Sequence, residues 1–333
     1  MREAPPSKEI LFVVPGLGSF SPGLMHRLIE ESALFQETDI ATSKALLDTG
    51  IHRLDEFLLG TNRPNWMSKL QYEMASTYLW TLVITKAATR RFQQRHLLAG
   101  YSLGEIVCST VYGAITEGDA LTLILETGSI IETYTPKTVN YFCNTTIERL
   151  RQITGDRDDQ EAFLAGTREH LGVCTEKTYK NAQAAATGKG LVMAEIGVEY
   201  GFHTSFVEPA KSRMLSEITF PNTEEATESW YSCAEGAMRS TLTASHFWKI
   251  IRGSIRLSEA RNYLNKDADT TTIEIGPVSL FKNLSGLCQL AKETECIKVI
   301  EANDLGGKRS IEACLDKMAA RVARSTHQGE EHT

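Results

Sequence analysis

The sequence lacks the features that would place it in a disulfide-rich, metal-binding or membrane-spanning class of protein. Its seven cysteines are odd in number and none belongs to a CxxC pair, so the spacing indicates neither a disulfide framework nor a zinc site. We expect reduced, mostly buried thiols. No apolar run approaches the length that spans a bilayer, and the N-terminus does not resemble a secretion signal. A cytoplasmic protein without membrane contact is expected.

An excess of basic charge is also missing. Lysine and arginine number 35 against 42 aspartates and glutamates, which gives a formal net charge of -7. A general affinity for nucleic acid would require a basic face, so we expect no nucleic-acid partner. Apolar residues at 42% and charged residues at 23% are ordinary values for a soluble globular protein.

The length of 333 residues exceeds what one simple core usually holds, which predicts a large domain that carries a smaller inserted or appended one. The sequence becomes more polar and charged between Lys137 and Val198, and this segment is the predicted small subdomain. The large domain then comprises residues 1–136 and 199–322. Residues 323–333 are polar and unpatterned, and we expect a flexible tail.

Short apolar or β-branched runs separated by helical sequence predict an α/β fold with a parallel sheet. The run Ile10–Val14 is continuously apolar and ends at a Pro-Gly pair, which is typical of a strand buried on both faces. Similar runs are Leu97–Ala99, Thr272–Ile275 and Lys298–Ile300.

Two helices are predicted with defined limits. The segment from Lys69 to Arg95 contains no Gly or Pro and is rich in Ala, Leu, Met and aromatic residues, which favours a long buried helix. A second helix is predicted to be capped by Asp119 and to end near Thr135 and Pro136.

The segment from Gly100 to Gly104 has the pattern G-x-S-x-G, with Ser102 between an apolar strand and a helix-like run. Glycines flank a serine in this pattern because a strand that turns sharply into a helix leaves no room for Cβ atoms. The helix N-terminus also directs free backbone donors, Leu103 N-H among them, toward the serine, where an oxyanion could be stabilised. A glycine-rich turn with an incidental serine is the alternative.

A serine nucleophile requires a base, and eight histidines are available. His203 follows Gly201 and precedes an amphipathic run, which predicts a loop entering a helix. His246 is the strongest rival, and chain position alone does not decide between them.

Four motifs occur in an order that resembles malonyl-CoA:acyl carrier protein transacylases and polyketide synthase acyltransferase domains. They are Val14–Ser19, Gly100–Glu105, the segment around His203, and Glu274–Pro277. The resemblance runs from the first strand to about residue 305. It implies an α/β-hydrolase-like large domain with a parallel sheet core, and a small ferredoxin-like subdomain.

The resemblance also implies roles for individual residues. Ser102 would be the nucleophile and His203 its base, with the backbone N-H groups of Leu17 and Leu103 forming the oxyanion hole. The histidine of this family is oriented by a backbone carbonyl, which we expect near Thr241. Gln71 falls where the family has a glutamine that lines the active site, although a solvated helix position is the alternative.

One departure from the family concerns the acyl group. The family places Arg-Gly in the helix after Asp119 to hold the malonyl carboxylate, whereas this chain has Thr127-Gly128. Threonine cannot form the two-bond fork that a guanidinium makes with a carboxylate. We therefore expect Thr127 to belong to a pocket for a neutral acyl group, unless another arginine such as Arg239 enters it.

The predicted function is transfer of an acyl group through an acyl-Ser102 intermediate to the phosphopantetheine thiol of an acyl carrier protein, in polyketide or fatty-acid-type biosynthesis. The donor would be an acyl-CoA or an acyl-carrier protein, and no bound cofactor or metal is expected. A monomer is expected, with a carrier protein or carrier domain as partner. A hydrolase that clears carrier proteins is the alternative, and a non-catalytic carrier-binding subunit is the third hypothesis.

Overall fold

The computed structural model describes residues 9–18, 51, 54–61, 63–92, 95–155, 157–165, 168–257, 260, 270–275, 315–316 and 319–320. The strands are β1 Glu9–Val14, β2 His96–Gly100, β3 Val139–Cys143, β4 Gln160–Ala165, β5 His170–Cys174, β6 Met193–Glu195, β7 Trp230–Ser232, β8 Ala237–Arg239 and β9 Thr270–Glu274. The helices are α1 Leu54–Leu58, α2 Lys69–Arg91, α3 Leu103–Val111, α4 Glu117–Tyr134, α5 Ile147–Thr154, α6 Glu176–Thr187, α7 Lys211–Glu217 and α8 Ala244–Arg252, with a 3₁₀ helix at Ser205–Ala210.

The large sheet has the strand order β8-β7-β2-β1-β9. Strand β1 is paired in parallel with β2 and β9, β7 is parallel to β2, and β8 forms an antiparallel edge. Every residue of β1 is buried, because both faces of the sheet are covered. Ile10, Phe12 and Val14 belong to one apolar core and Leu11 and Val13 to another, as expected for side chains that alternate across a strand.

Helices α2 and α4 pack against each other in the larger core. Helix α2 begins with a capping box in which Ser68 accepts from the backbone N-H of Gln71. Helix α4 ends at Thr135 as predicted, but the predicted cap at Asp119 is wrong. Thr116 is the N-cap and accepts from the backbone N-H of Asp119, because Asp119 already lies within the first helical turn.

The second sheet is antiparallel, with the order β4-β5-β3-β6. Its elements follow the order β3-α5-β4-β5-α6-β6, which is the β-α-β-β-α-β pattern of a ferredoxin-like unit. Helices α5 and α6 contact each other, and Tyr141, Leu150 and Tyr179 form part of a separate small core.

The predicted fold class is confirmed, since a parallel sheet core is accompanied by a smaller antiparallel sheet. The predicted subdomain limits of 137 and 198 remain a prediction. The candidate strand Lys298–Ile300 and the predicted tail at 323–333 lie outside the described residues. Within the described parts of the chain, no helix has the length and apolar character needed to cross a membrane.

Candidate active site

Ser102 lies in the sharp turn between β2 and α3. The strand ends at Gly100 and the helix begins at Leu103, with Ser102 at φ 54° and ψ -131°. A positive φ is unfavourable for a residue with a side chain and is often found at functional sites. Among the described residues, Ser102 and His203 are the two non-glycine residues with positive φ.

Close backbone contacts explain the glycines around this turn. A Cβ added at Gly104 would lie 2.7 Å from the carbonyl carbon of Val14 in β1. One added at Gly16, directly after β1, would lie 2.5 Å from the Cβ of Ser102. Both separations are too short for carbon atoms, so glycine at these positions allows the end of β1 to pack against the serine turn.

The imidazole of His203 lies beside the serine, with 2.9 Å between Nε2 and the Oγ of Ser102. Its Nδ1 lies 2.9 Å from the carbonyl oxygen of Gly253. A carbonyl can only accept, so Nδ1 carries the hydrogen and Nε2 is free to accept from the serine hydroxyl. The backbone N-H of His203 donates to Ile251 O at 2.8 Å, which also anchors the residue.

The carbonyl expected near Thr241 is therefore supplied by Gly253, and that prediction is wrong. Thr241 precedes α8, whereas Gly253 is the C-cap of this helix. The last turn of a helix has carbonyls without intrahelical partners. The end of α8 thus provides acceptors to the backbone and the ring of His203.

Burial lowers the pKa of His203 from 6.5 to about 4, and the hydrogen bond to Gly253 offsets part of this effect. The charged imidazolium is disfavoured because water is excluded from the ring. His203 is consequently neutral at pH 7, which is the form that can accept a proton from Ser102.

The rival histidine, His246, is held elsewhere. Its Nε2 lies 3.0 Å from Oε2 of Glu105, and both side chains are buried. The other carboxylate oxygen of Glu105 accepts from the backbone N-H of Ala234 at 2.7 Å. His246 therefore links α3, the helix that follows Ser102, to α8, and its Nε2 faces a carboxylate.

An apolar cleft of about 360 Å³, including space open to solvent, adjoins Ser102. Apart from Ser102, its lining residues are aliphatic, aromatic or Met side chains: Leu17, Met74, Leu103, Ile106, Ile124, Phe202, Phe247, Ile250 and Ile251. A cleft of this kind binds apolar groups and excludes charge.

The predicted oxyanion residues Leu17 and Leu103 both line this cleft. Leu103 is the first residue of α3, so its N-H belongs to the helix donors that have no intrahelical acceptor. The positive end of the helix dipole lies at the same point. Their role as oxyanion donors remains a prediction.

Gln71 and Thr127, predicted to bind substrate, use their polar groups within the protein. The amide of Gln71 accepts from Ser68 N-H at 2.9 Å and donates to Leu125 O at 2.9 Å. The hydroxyl of Thr127 donates to Leu123 O at 2.7 Å. Neither residue is among those that line the cleft, and a role in substrate binding remains a prediction for both.

Sequence reasoning did not identify several residues of the cleft. Met74 lies on α2 one turn after Gln71, so the helical repeat was a signal that could have located it. Phe247, Ile250 and Ile251 have the i, i+3, i+4 spacing of one helix face. That spacing predicts a buried face but does not indicate which site it borders.

No group of three His, Cys, Asp or Glu side chains in the described parts of the chain is arranged to hold a metal ion.

Ser102 in a strand-to-helix turn of an α/β protein, with His203 at hydrogen-bond distance, has the geometry in which a histidine can activate a serine. The family model described as "Acyl transferase domain" matches residues 11–300. The chain therefore belongs to the acyl transferase domain family.

Two curated relatives illustrate the range of the family. The chain is 24% identical over 306 residues to atrochrysone carboxylic acid synthase of Aspergillus fumigatus, covering 85% of this chain and 16% of that protein. It is 23% identical over 287 residues to polyketide biosynthesis acyltransferase homolog BaeD of Bacillus velezensis, covering 81% and 85%. The chain spans about a sixth or less of the length of the first polyketide synthases that it matches.

Solved structures share the fold. A loading acyltransferase from the avermectin modular polyketide synthase superposes with a TM-score of 0.72 at 17% identity, covering 90% of this chain and all (100%) of that chain. An acyl-carrier-protein S-malonyltransferase from Burkholderia pseudomallei gives a TM-score of 0.68 at 20% identity, covering 94% and 99%. These likenesses support the two-part fold, with a large α/β-hydrolase-like unit and a ferredoxin-like subdomain.

Proposed function

We propose that this protein transfers a neutral acyl group from a thioester, through an ester on Ser102, to the phosphopantetheine thiol of an acyl carrier protein. The observation that carries the proposal is the pairing of Ser102, which lines an apolar cleft, with a neutral, buried His203. Membership of the acyl transferase domain family supports the reaction class.

In the first half-reaction, Nε2 of His203 takes the hydroxyl proton as Ser102 Oγ attacks the thioester carbonyl. The N-H groups of Leu17 and Leu103 stabilise the oxyanion. When the tetrahedral intermediate collapses, the carbon-sulfur bond breaks and the proton passes from His203 to the leaving thiolate. The carbonyl of Gly253 holds the ring in the required tautomer throughout.

In the second half-reaction, His203 takes the proton of the phosphopantetheine thiol, and the thiolate attacks the Ser102 ester. The ester bond breaks and the serine oxygen recovers the proton from His203. The donor is an acyl-CoA or another acyl-carrier protein, since both present the same thioester.

The polarity of the cleft supports a neutral acyl group. A malonyl carboxylate would have to lose its water and find a cationic partner there. No charged side chain lines the cleft among the described residues. Arg239, the arginine considered as a substitute, is paired with Glu235, and the hydroxyl of Thr127 is bound within its own helix.

Intact-protein mass spectrometry after incubation with acyl-CoAs tests the proposal. We expect a mass increase with acetyl-CoA and longer neutral acyl-CoAs, little increase with malonyl-CoA, and loss of the adduct when a carrier protein is added. Ser102→Ala should abolish the adduct. Ser109→Ala is a matched control, because this buried serine of α3 donates its hydroxyl to Ile106 O outside the reaction.

The outcomes separate the competing functions. Transfer of the acyl mass to the carrier protein supports the proposal, whereas release as free acid identifies a hydrolase. Absence of any Ser102 adduct with every donor would indicate a non-catalytic protein. Efficient malonyl loading would contradict the preference for a neutral group.

A further inference from the structure

Helix α8 lies between the apolar cleft that adjoins Ser102, called the serine cleft below, and a second apolar cavity. Phe247, Ile250 and Ile251 line the serine cleft, whereas Ala244, Phe247 and Trp248 line the second cavity. Both sets follow the i, i+3, i+4 spacing of one helix face. Phe247 belongs to both faces and is the one described residue that the two cavities share.

The second cavity has a volume of about 330 Å³, including space open to solvent. Its other walls are Met214, Leu215, Ile218 and Phe220, from α7 and the segment that follows it. Leu215 is 51% exposed, so the cavity reaches the surface on the side of α7. The residues that line it are Ala, Leu, Ile, Met, Phe and Trp, and those of the serine cleft are likewise apolar apart from Ser102.

Phe247 lies on the boundary of both spaces. Its side chain is buried, with 4% of its surface exposed, and its ring centroid lies 6.1 Å from that of Phe220. Phe247 is therefore the side chain that an acyl chain in the serine cleft would meet before it reached the second cavity.

We propose that Phe247 limits the length of the acyl chain that Ser102 carries, by closing the serine cleft from the second cavity. This proposal rests on the proposed function and adds the residue that determines its substrate length. Removing the ring joins two apolar spaces, so the methylenes beyond the present limit enter the second cavity. Each methylene that becomes buried should strengthen binding about fourfold.

The first experiment measures binding rather than reaction. Linear primary alcohols of increasing length are titrated into the wild-type protein, Phe247→Ala and Phe247→Leu, with calorimetry as the readout. In the wild type, affinity should stop rising at the length that fills the serine cleft. In both variants the rise should continue at about fourfold per methylene over several further carbons.

Two further variants identify the space that is used. Phe220→Ala removes a ring of the same size from the second cavity but leaves the ring of Phe247 in place. The alcohol length at which affinity stops rising should therefore stay that of the wild type. Adding Ala244→Leu to Phe247→Ala partly fills the second cavity and should shorten the limit again. Circular dichroism and thermal unfolding identify the variants that are folded, and Phe247→Leu, which keeps an apolar side chain, removes less of the core than alanine does.

An unchanged limit in folded Phe247→Leu would overturn the proposal, and so would an equal extension in Phe220→Ala. The same variants are then loaded with acyl-CoAs of increasing length, and the Ser102 adducts are weighed. The affinity for alcohols could keep rising to greater lengths in the Phe247 variants while no donor acylates Ser102 in any protein. In that case the proposed function fails, but the role of Phe247 in closing the serine cleft from the second cavity stands.

Discussion

Glu105 connects the two halves of the proposed active site, and its replacement is the most informative test of how the site is held together. This carboxylate lies on α3, directly after the serine turn, and is fully buried. It accepts from Ala234 N-H at 2.7 Å and lies 3.0 Å from Nε2 of His246 on α8. Helix α8 in turn leads to the carbonyls of Ile251 and Gly253 that hold His203.

Glu105→Ala leaves a backbone N-H and an imidazole nitrogen without this partner in a region that water does not reach. Breaking a buried interaction of this kind costs about 3–5 kcal/mol. Glu105→Gln retains an oxygen for Ala234 N-H, and its amide can donate to His246, so the expected loss is about 1–2 kcal/mol. Because Gln has nearly the volume of Glu, the loss in Glu105→Gln reports the change in charge and hydrogen bonding, whereas Glu105→Ala also removes side-chain volume.

Urea unfolding at pH 7 gives the stabilities, and the rate of Ser102 acylation gives the functional effect. Loss of the link between α3 and α8 should slow acylation in Glu105→Ala more than in Glu105→Gln. Glu208→Ala is a matched control that breaks an exposed ion pair of α8, between Glu208 and Arg252, and should cost at most about 1 kcal/mol.

A specific outcome refutes the reasoning. If Glu105→Ala and Glu208→Ala destabilise the protein equally, the buried hydrogen bonds contribute no more than a surface pair. If Glu105→Ala unfolds early but its folded fraction acylates Ser102 at the wild-type rate, the link does not position His203.

Three further predictions concern stability. The pKa of His203 is about 4 in the folded protein, against an ordinary value of 6.5. The unfolded chain therefore takes up a proton on this residue at a higher pH than the folded protein does, and the free energy of unfolding should fall as the pH drops from 6.5 toward 4. At 1.36 kcal/mol per pKa unit, the loss in the free energy of unfolding approaches about 3 kcal/mol. Urea titrations at several pH values should show that His203→Gln lacks this part of the pH dependence. Gly104→Ala should destabilise the protein by at least about 1–3 kcal/mol because its Cβ overlaps the end of β1. Gly188→Ala, whose Cβ would meet neighbours no closer than 3.6 Å, should be nearly neutral, and equal Tm values for the two would contradict this account. Thr116→Ala should lower the stability by about 1 kcal/mol through loss of the α4 cap, while Thr116→Ser should keep most of the stability that the cap contributes. Equal losses in thermal melts of the two variants would show that the hydroxyl is not the cap.

Local chemistry was sufficient to predict the framework of the site. The apolar run at Ile10–Val14 predicts a strand covered on both faces, and it is a strand paired in parallel on both sides. The glycines around Ser102 indicated a turn too tight for side chains, and the turn is present with Ser102 at positive φ. These features depend on backbone sterics and burial within a few residues, so residue types and their local spacing predict them.

The partners of Ser102 were decided by tertiary structure. Nothing in the local sequence distinguishes His203 from His246 as neighbours of the serine, yet one lies 2.9 Å from its hydroxyl and the other faces Glu105. Any residue can supply a backbone carbonyl, so Gly253 carried no signal and Thr241 was chosen wrongly.

The shape of the cleft was also beyond the sequence, because it depends on how α2, α3, α4 and α8 pack around the serine turn. The helical repeat places Met74 and Phe247 on buried faces, but only packing determines that these faces border Ser102. The sequence by itself determined a tight serine turn on a parallel sheet, since sterics and burial act locally. The histidine beside the serine, its carbonyl partner and most of the apolar walls were decided by the tertiary structure, since they meet the serine across long separations in the chain.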